Sequence, residues 1–206
     1  MMRIFTFFLL FFLSGCAKIS VDKEQSLILK SYGYEKSLTH SQKTLQILKP
    51  KVPLYLNSKE IIYVKKGLSG TYAYHFWADL PSNFYRFVLL DKLEKSGIFN
   101  AVVEKANLTP VDLALKSRLE SFEQIITSEG NFAKISLSVT LFDIKEQKIL
   151  ENEFFEVLVV LEDLQMNTLV VGFERGLNEL CDKIIAWLTK FSEKRNTFCL
   201  PKLSNI

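Results

Sequence analysis

Histidine and cysteine are scarce in this chain: His40 and His75 are the two histidines, and Cys16, Cys181 and Cys199 the three cysteines among 206 residues. A structural zinc site takes about four such ligands, and no Cys-x-x-Cys spacing occurs, so no metal site or other cofactor is expected. Catalytic signatures are missing too. There is no P-loop and no Gly-x-Gly-x-x-Gly, and Gly67-Leu68-Ser69-Gly70 is the nearest string to a nucleophile elbow, with the wrong spacing. Charge of one sign is also lacking: 26 basic residues face 23 acidic ones. A nucleic-acid binder would show a basic stripe, so none is expected as partner. Glycine and proline form no repeat, low-complexity stretch or linker, so the chain reads as one domain. Finally, the apolar run near the start covers about ten residues, whereas a helix crossing a bilayer needs about twenty.

That short run is informative in itself. Arg3 precedes residues 4–13, which are apolar apart from Thr6, and Leu13-Ser14-Gly15-Cys16 follows. A charged start, a short apolar stretch and small residues at a cut site make a secretory signal. Leu-Ser-Gly-Cys resembles the bacterial lipobox, in which the cysteine thiol carries diacylglycerol and the new N-terminus is acylated. The weaker alternative is an ordinary signal in which Cys follows Gly by chance. On the first reading 1–15 is a signal peptide and Cys16 the lipidation site. Residues 16–25 are then a polar tether, 26–195 the folded domain and 196–206 a tail. Two or more acyl chains hold a protein stably where one does not. Ala17 stands where some bacteria use Asp for inner-membrane retention, which favours the periplasmic face of the outer membrane. Loss of Arg3 leaves 25 basic residues against the 23 acidic ones, a mature charge of +2. Cys181 and Cys199 remain as thiols outside the cytoplasm, where they can pair or stay free.

Two segments read as helices. One opens at Asp79-Leu80-Pro81 and closes at Gly97, the expected placing of Pro inside the start and Gly past the end. The other starts near Asn167-Thr168 and spaces Leu169, Phe173, Leu177, Leu180, Ile184, Leu188 and Phe191 on one broad apolar face. Between them Ile135, Leu137, Val139 and Leu141 alternate with polar residues, the period of a strand with one buried face. Turn-forming residues flank it and predict a meander of 112–127, 132–143 and 149–161. The last strand ends apolar on both faces. Shorter strands are expected at 26–34, 44–48, 60–65, 71–76 and 101–104. The whole is an α+β fold: a mainly antiparallel sheet with two principal helices packed on it.

Candidate chemistry is thin. Glu151, Glu153 and Glu156, or Glu162 with Asp163, could be read as paired carboxylates, but glutamates alternating along a strand more often mark its solvated face. Tyr74, Phe76 and Trp77 precede Pro81 and Phe84. A large ring there can pack where the chain turns from strand into helix; the alternative is an exposed cluster that contacts a partner.

The order of several short motifs carries a resemblance. Ile47-Leu48-Lys49-Pro50, then Pro53-Leu54-Tyr55-Leu56, Glu60-Ile61-Ile62-Tyr63 and Trp77-Ala78-Asp79-Leu80-Pro81 lead to Leu93-Glu94-Lys95-Ser96-Gly97-Ile98-Phe99. With the lipobox ahead, the chain resembles the ABC-type transport auxiliary lipoproteins. Its Lys65-Lys66 loop and its tail from 196 depart from that pattern. The resemblance implies a non-enzymatic, lipid-anchored part of a transporter for lipid or other apolar compounds. Its partners would be a mammalian-cell-entry-type substrate-binding protein and an ABC permease and ATPase, and a homo-oligomer stays open. Another envelope-assembly lipoprotein and a lipid carrier are the rival readings. Contact with partner or lipid is expected at 55–63 and the outer face of 154–161, with Tyr55, Tyr63, Tyr74, Trp77 and Val159 as candidates.

Overall fold

A computed structural model describes residues 24–34, 36–105 and 110–198. The signal segment, Cys16, Cys199 and the residues after it lie outside them. The strands are β1 (Gln25–Leu27), β2 (Ser41–Ile47), β3 (Glu60–Lys65), β4 (Leu68–Trp77), β5 (Phe99–Val103), β6 (Leu113–Ile126), β7 (Asn131–Asp143) and β8 (Lys148–Leu161). The helices are α1 (Pro81–Ser96) and α2 (Met166–Phe198).

One mixed sheet holds all eight strands. Its long pairings, β6–β7 and β7–β8, are antiparallel, as is β3–β4. The far edge of β6 forks: β2 pairs in parallel with its first residues and carries β5, while β3 pairs in parallel with its last four and carries β4 and then β1. Lys49-Pro50-Lys51-Val52-Pro53 crosses the fork, where Lys51 bridges to Arg118. Prolines lack the N–H a ladder needs, so the strand stops and a short 3₁₀ turn, Leu54–Leu56, fills the gap. The α+β reading of the sequence therefore holds, with short parallel pairings added to the meander.

Both helices lie on one face. α1 starts with Pro81 and ends at Gly97 in the left-handed conformation (φ 66°), the expected stop. α2 runs antiparallel to β8 and covers β7, β8 and part of α1. It is longer than its apolar spacing suggests, continuing past Phe191. Gly172 and Gly176 face the sheet, where a Cβ on Gly172 would come within 2.1 Å of the Leu161 side chain, so these two positions set how closely α2 approaches β8. Core side chains come from this interface: Ile135, Leu137, Val157 and Val159 below, and Phe173, Leu177, Leu180 and Ile184 above, all buried.

The segment 28–34, expected as strand, leaves the sheet after Leu27. Asn178, buried on α2, accepts the Tyr32 N–H (2.7 Å) and donates to the Lys30 carbonyl (2.8 Å). A side chain on the helix thus takes the bonds that a neighbouring strand would have made.

Trp77 ends β4 in the core, 1% exposed. Its ring meets Phe84, Phe122 and Phe173 edge to face, with centroids 6.3, 5.6 and 5.2 Å away. The reading of Trp77 as a contact residue is therefore corrected, while its role at the turn into α1 is what the geometry shows.

Candidate docking surface

Among the described residues, helices cover one face of the sheet and none lies on the other. Strand alternation sends Phe155, Val157, Val159 and Leu161 of β8 beneath α2, and Phe154, Leu158 and Val160 outward, these three being 52%, 49% and 62% exposed. Val159 is buried, so it is not available as a contact residue; the exposed side chains are its neighbours on either side, Leu158 and Val160. Sequence alone could not set this parity, because the run from Val157 to Leu161 is apolar on both faces. Glu156 and Asn152 share the outward parity and are the available signal.

The register makes a row of the outward apolar residues. Val64 of β3 lies opposite Ile125 of β6, Ile125 opposite Phe132 of β7, and Phe132 opposite Val160 of β8. Leu158 flanks this row beyond Lys134, whose Nζ is drawn 3.0 Å from Glu156. Four adjacent strands therefore present one apolar stripe with no helix over it among the described residues. Sequence reading missed Ile125 and Phe132, which lie on strands whose other face is the obvious core.

Beside the stripe a cleft of about 500 Å³ is lined by Tyr55, Glu60, Ile62, Ser69, Gly70, Thr71 and Glu123. Tyr55 is half-exposed and its hydroxyl donates to the Glu120 carbonyl at 3.0 Å. Burial, then the carboxylates of Glu123 and Glu120, push its phenol above the ordinary range. Glu120 in turn is held below the usual carboxylate range by hydrogen bonds from Ser138 and Arg118.

Other candidates fall elsewhere. Tyr63 points to the helix side, half-buried, its ring across Gly70 and edge to face with Tyr72. There Tyr72 donates to the buried Gln124, Gln124 to Asn131, and Asn131 to the Asp163 carbonyl, tying β4, β6, β7 and the β8–α2 loop together. Tyr74 is half-exposed on β4, away from the β3–β6–β7–β8 stripe. Cys181 is fully buried, and its burial raises the thiol pKa; Cys199, with which it could pair, lies outside the described residues. Glu151 and Glu153 alternate to the opposite side from Glu156, with Lys194 at 4.0 Å from Glu151. They are thus not one carboxylate cluster. Among the described residues no group of three His, Cys, Asp or Glu could hold a metal, and no helix is long and apolar enough to cross a membrane.

Comparison with known proteins points the same way as the fold. The family model described as "ABC-type transport auxiliary lipoprotein component" matches residues 31–185. Among solved structures the chain is similar to protein XCC0632 from Xanthomonas campestris, a DUF330 family member, with a TM-score of 0.75 and 16% identity over 84% of this chain and 99% of that one. It is also similar to the hypothetical protein CT253 from Chlamydia trachomatis, with a TM-score of 0.53 and 10% identity over 74% and 98%. At these identities the likeness shows the fold alone. A search of curated proteins gives no match.

Proposed function

The chain belongs to the ABC-type transport auxiliary lipoprotein component family, and from that premise we propose that it works by docking, without turnover of its own. Acyl chains on Cys16 would hold it on the periplasmic face of an envelope membrane, with the outer membrane favoured by Ala17. Its partner would be the mammalian-cell-entry-type substrate-binding protein of a lipid transport system, whose permease and ATPase supply the energy. The observation that carries this reading is the uncovered stripe of Val64, Ile125, Phe132, Leu158 and Val160. A contiguous apolar patch rimmed by charge marks an interaction site more often than an ordinary surface, and here Lys134, Glu156 and Glu123 form the rim.

The test is co-purification of the lipidated protein from membranes in mild detergent. The wild type should bring down a mammalian-cell-entry-type protein. Leu158→Asp with Val160→Asp should weaken that association about 30–1000-fold, as loss of two anchoring contacts of roughly 1–2 kcal/mol each implies, while the melting curve stays unchanged. Survival of the complex in this variant, together with loss of function in a well-folded Glu153→Gln protein, would reopen a catalytic reading. Lipid bound to the purified domain, with no transporter partner, would favour a carrier instead.

A further inference from the structure

Nine residues lead from Cys16 to Gln25, and the direction of β1 fixes the end from which the chain enters the sheet. β1 is parallel to β4, with Gln25 opposite His75, Ser26 opposite Phe76 and Leu27 opposite Trp77. The chain therefore enters β1 from the end at which β4 begins, which is the β3–β4 hairpin. That hairpin turns at Lys66 and Gly67, both with positive φ (52° and 77°). It leaves Lys65 and Lys66 exposed and Leu68 76% exposed.

We propose that this hairpin tip rests on the anionic bilayer surface that holds the acyl chains, with Lys65 and Lys66 among the headgroups and Leu68 at the acyl boundary. The proposal rests on the lipid-anchored reading given above. Reach decides between the two ends of the sheet. Nine residues extend at most about 30 Å, and the seven residues from His75 back to Leu68 cover about 23 Å of strand, so the lipid can lie at the level of the tip without strain. The opposite end, at Leu113, lies roughly 26 Å from Gln25 in the other direction. A lead that first reversed would spend about four residues on the turn and fall short of it. Charge selects the edge within the near end. Glu162 and Asp163 follow β8, three strands away from the hairpin, and Glu129 lies in the β6–β7 turn on the side of β3, whereas β1 pairs on the other side with β4, the strand that leaves the two lysines. A basic tip with one exposed leucine is the chemistry that lies on anionic lipid.

The experiment uses the lipidated protein carrying Cys199→Ser, in which Cys181 is buried, reconstituted into phosphatidylethanolamine–phosphatidylglycerol vesicles with spin-labelled lipid. Leu68→Cys and, at the far end, Ile149→Cys are each labelled with nitrobenzoxadiazole. The Leu68 probe should be blue-shifted and quenched several-fold more than the Ile149 probe. Lys65→Glu with Lys66→Glu should remove most of that quenching. A Leu68 probe that stays in water, or an Ile149 probe quenched more strongly, overturns the proposal. The mass of the N-terminal peptide separates the two readings: an acylated Cys16 with an unquenched Leu68 probe defeats only the hairpin contact, whereas an unmodified Cys16 defeats the anchor and the contact with it.

Discussion

Trp77→Ala in the mature protein should lower the free energy of unfolding by about 3–5 kcal/mol, the usual range for deleting a large buried ring. For a chain of this size that is roughly 6–20 °C in melting temperature. The indole sits among Phe84 of α1, Phe122 of β6 and Phe173 of α2, and Phe122 and Phe173 are themselves stacked with centroids 4.7 Å apart. Removing it therefore opens a cavity where the sheet and both helices meet, and the flanking rings cannot close it without moving the helices. Trp77→Phe, which keeps an aromatic ring, should lose much less. Calorimetry decides the matter: an unchanged melting temperature in the alanine variant would mean that the ring is not core.

The second large effect is an asymmetry between two partners of one ion pair. Lys92 of α1 is 1% exposed and its Nζ lies 2.6 Å from Asp182 Oδ1 on α2, while Asp182 is 46% exposed. Breaking a buried pair costs most when the charge left behind is the buried one. Asp182→Ala strands Lys92 in the core, with the face of Tyr34 at 5.8 Å and the charge of the Asp91 carboxylate as partial compensation, and should cost about 2–3 kcal/mol, below the full buried-pair range because water reaches this site. Lys92→Met leaves Asp182 to water and fills the same space, so it should cost less than about 1 kcal/mol. Urea denaturation of both variants checks the order. Equal losses would show that the pair acts through its geometry and not through the desolvation of one member.

Local rules made much of the fold legible. The start and stop of α1 are written in Pro81 and Gly97, the core face of α2 in its three-and-four spacing, and the buried face of β7 in strict alternation. What stayed hidden depends on distant partners. Nothing near Leu29 reveals that Asn178, far along the chain, would draw the segment out of the sheet. The fork in β6 depends on two separate strands finding opposite halves of one edge. The exposed apolar stripe was legible only as a region. Segment 154–161 supplies part of it, but Val159 lies on the buried face, because a strand apolar on both sides carries no parity of its own. Tyr63 misled and Trp77 stayed open between core and contact for a related reason: an aromatic residue fits a core and an interface equally well, and only the register of β3 and β4 shows which side each ring takes.

The claim on which the functional account turns is that the helix-free face of the sheet is covered in the cell. Site-specific photo-crosslinking measures this most directly, with a photoreactive residue at Val160 on the bare face and, as a control, at Phe87 on the outer side of α1, both well exposed. The account predicts a strong adduct from position 160 to a mammalian-cell-entry-type transport protein and little or none from position 87. A position 160 that crosslinks to nothing in intact cells, while position 87 captures the transporter, would contradict it.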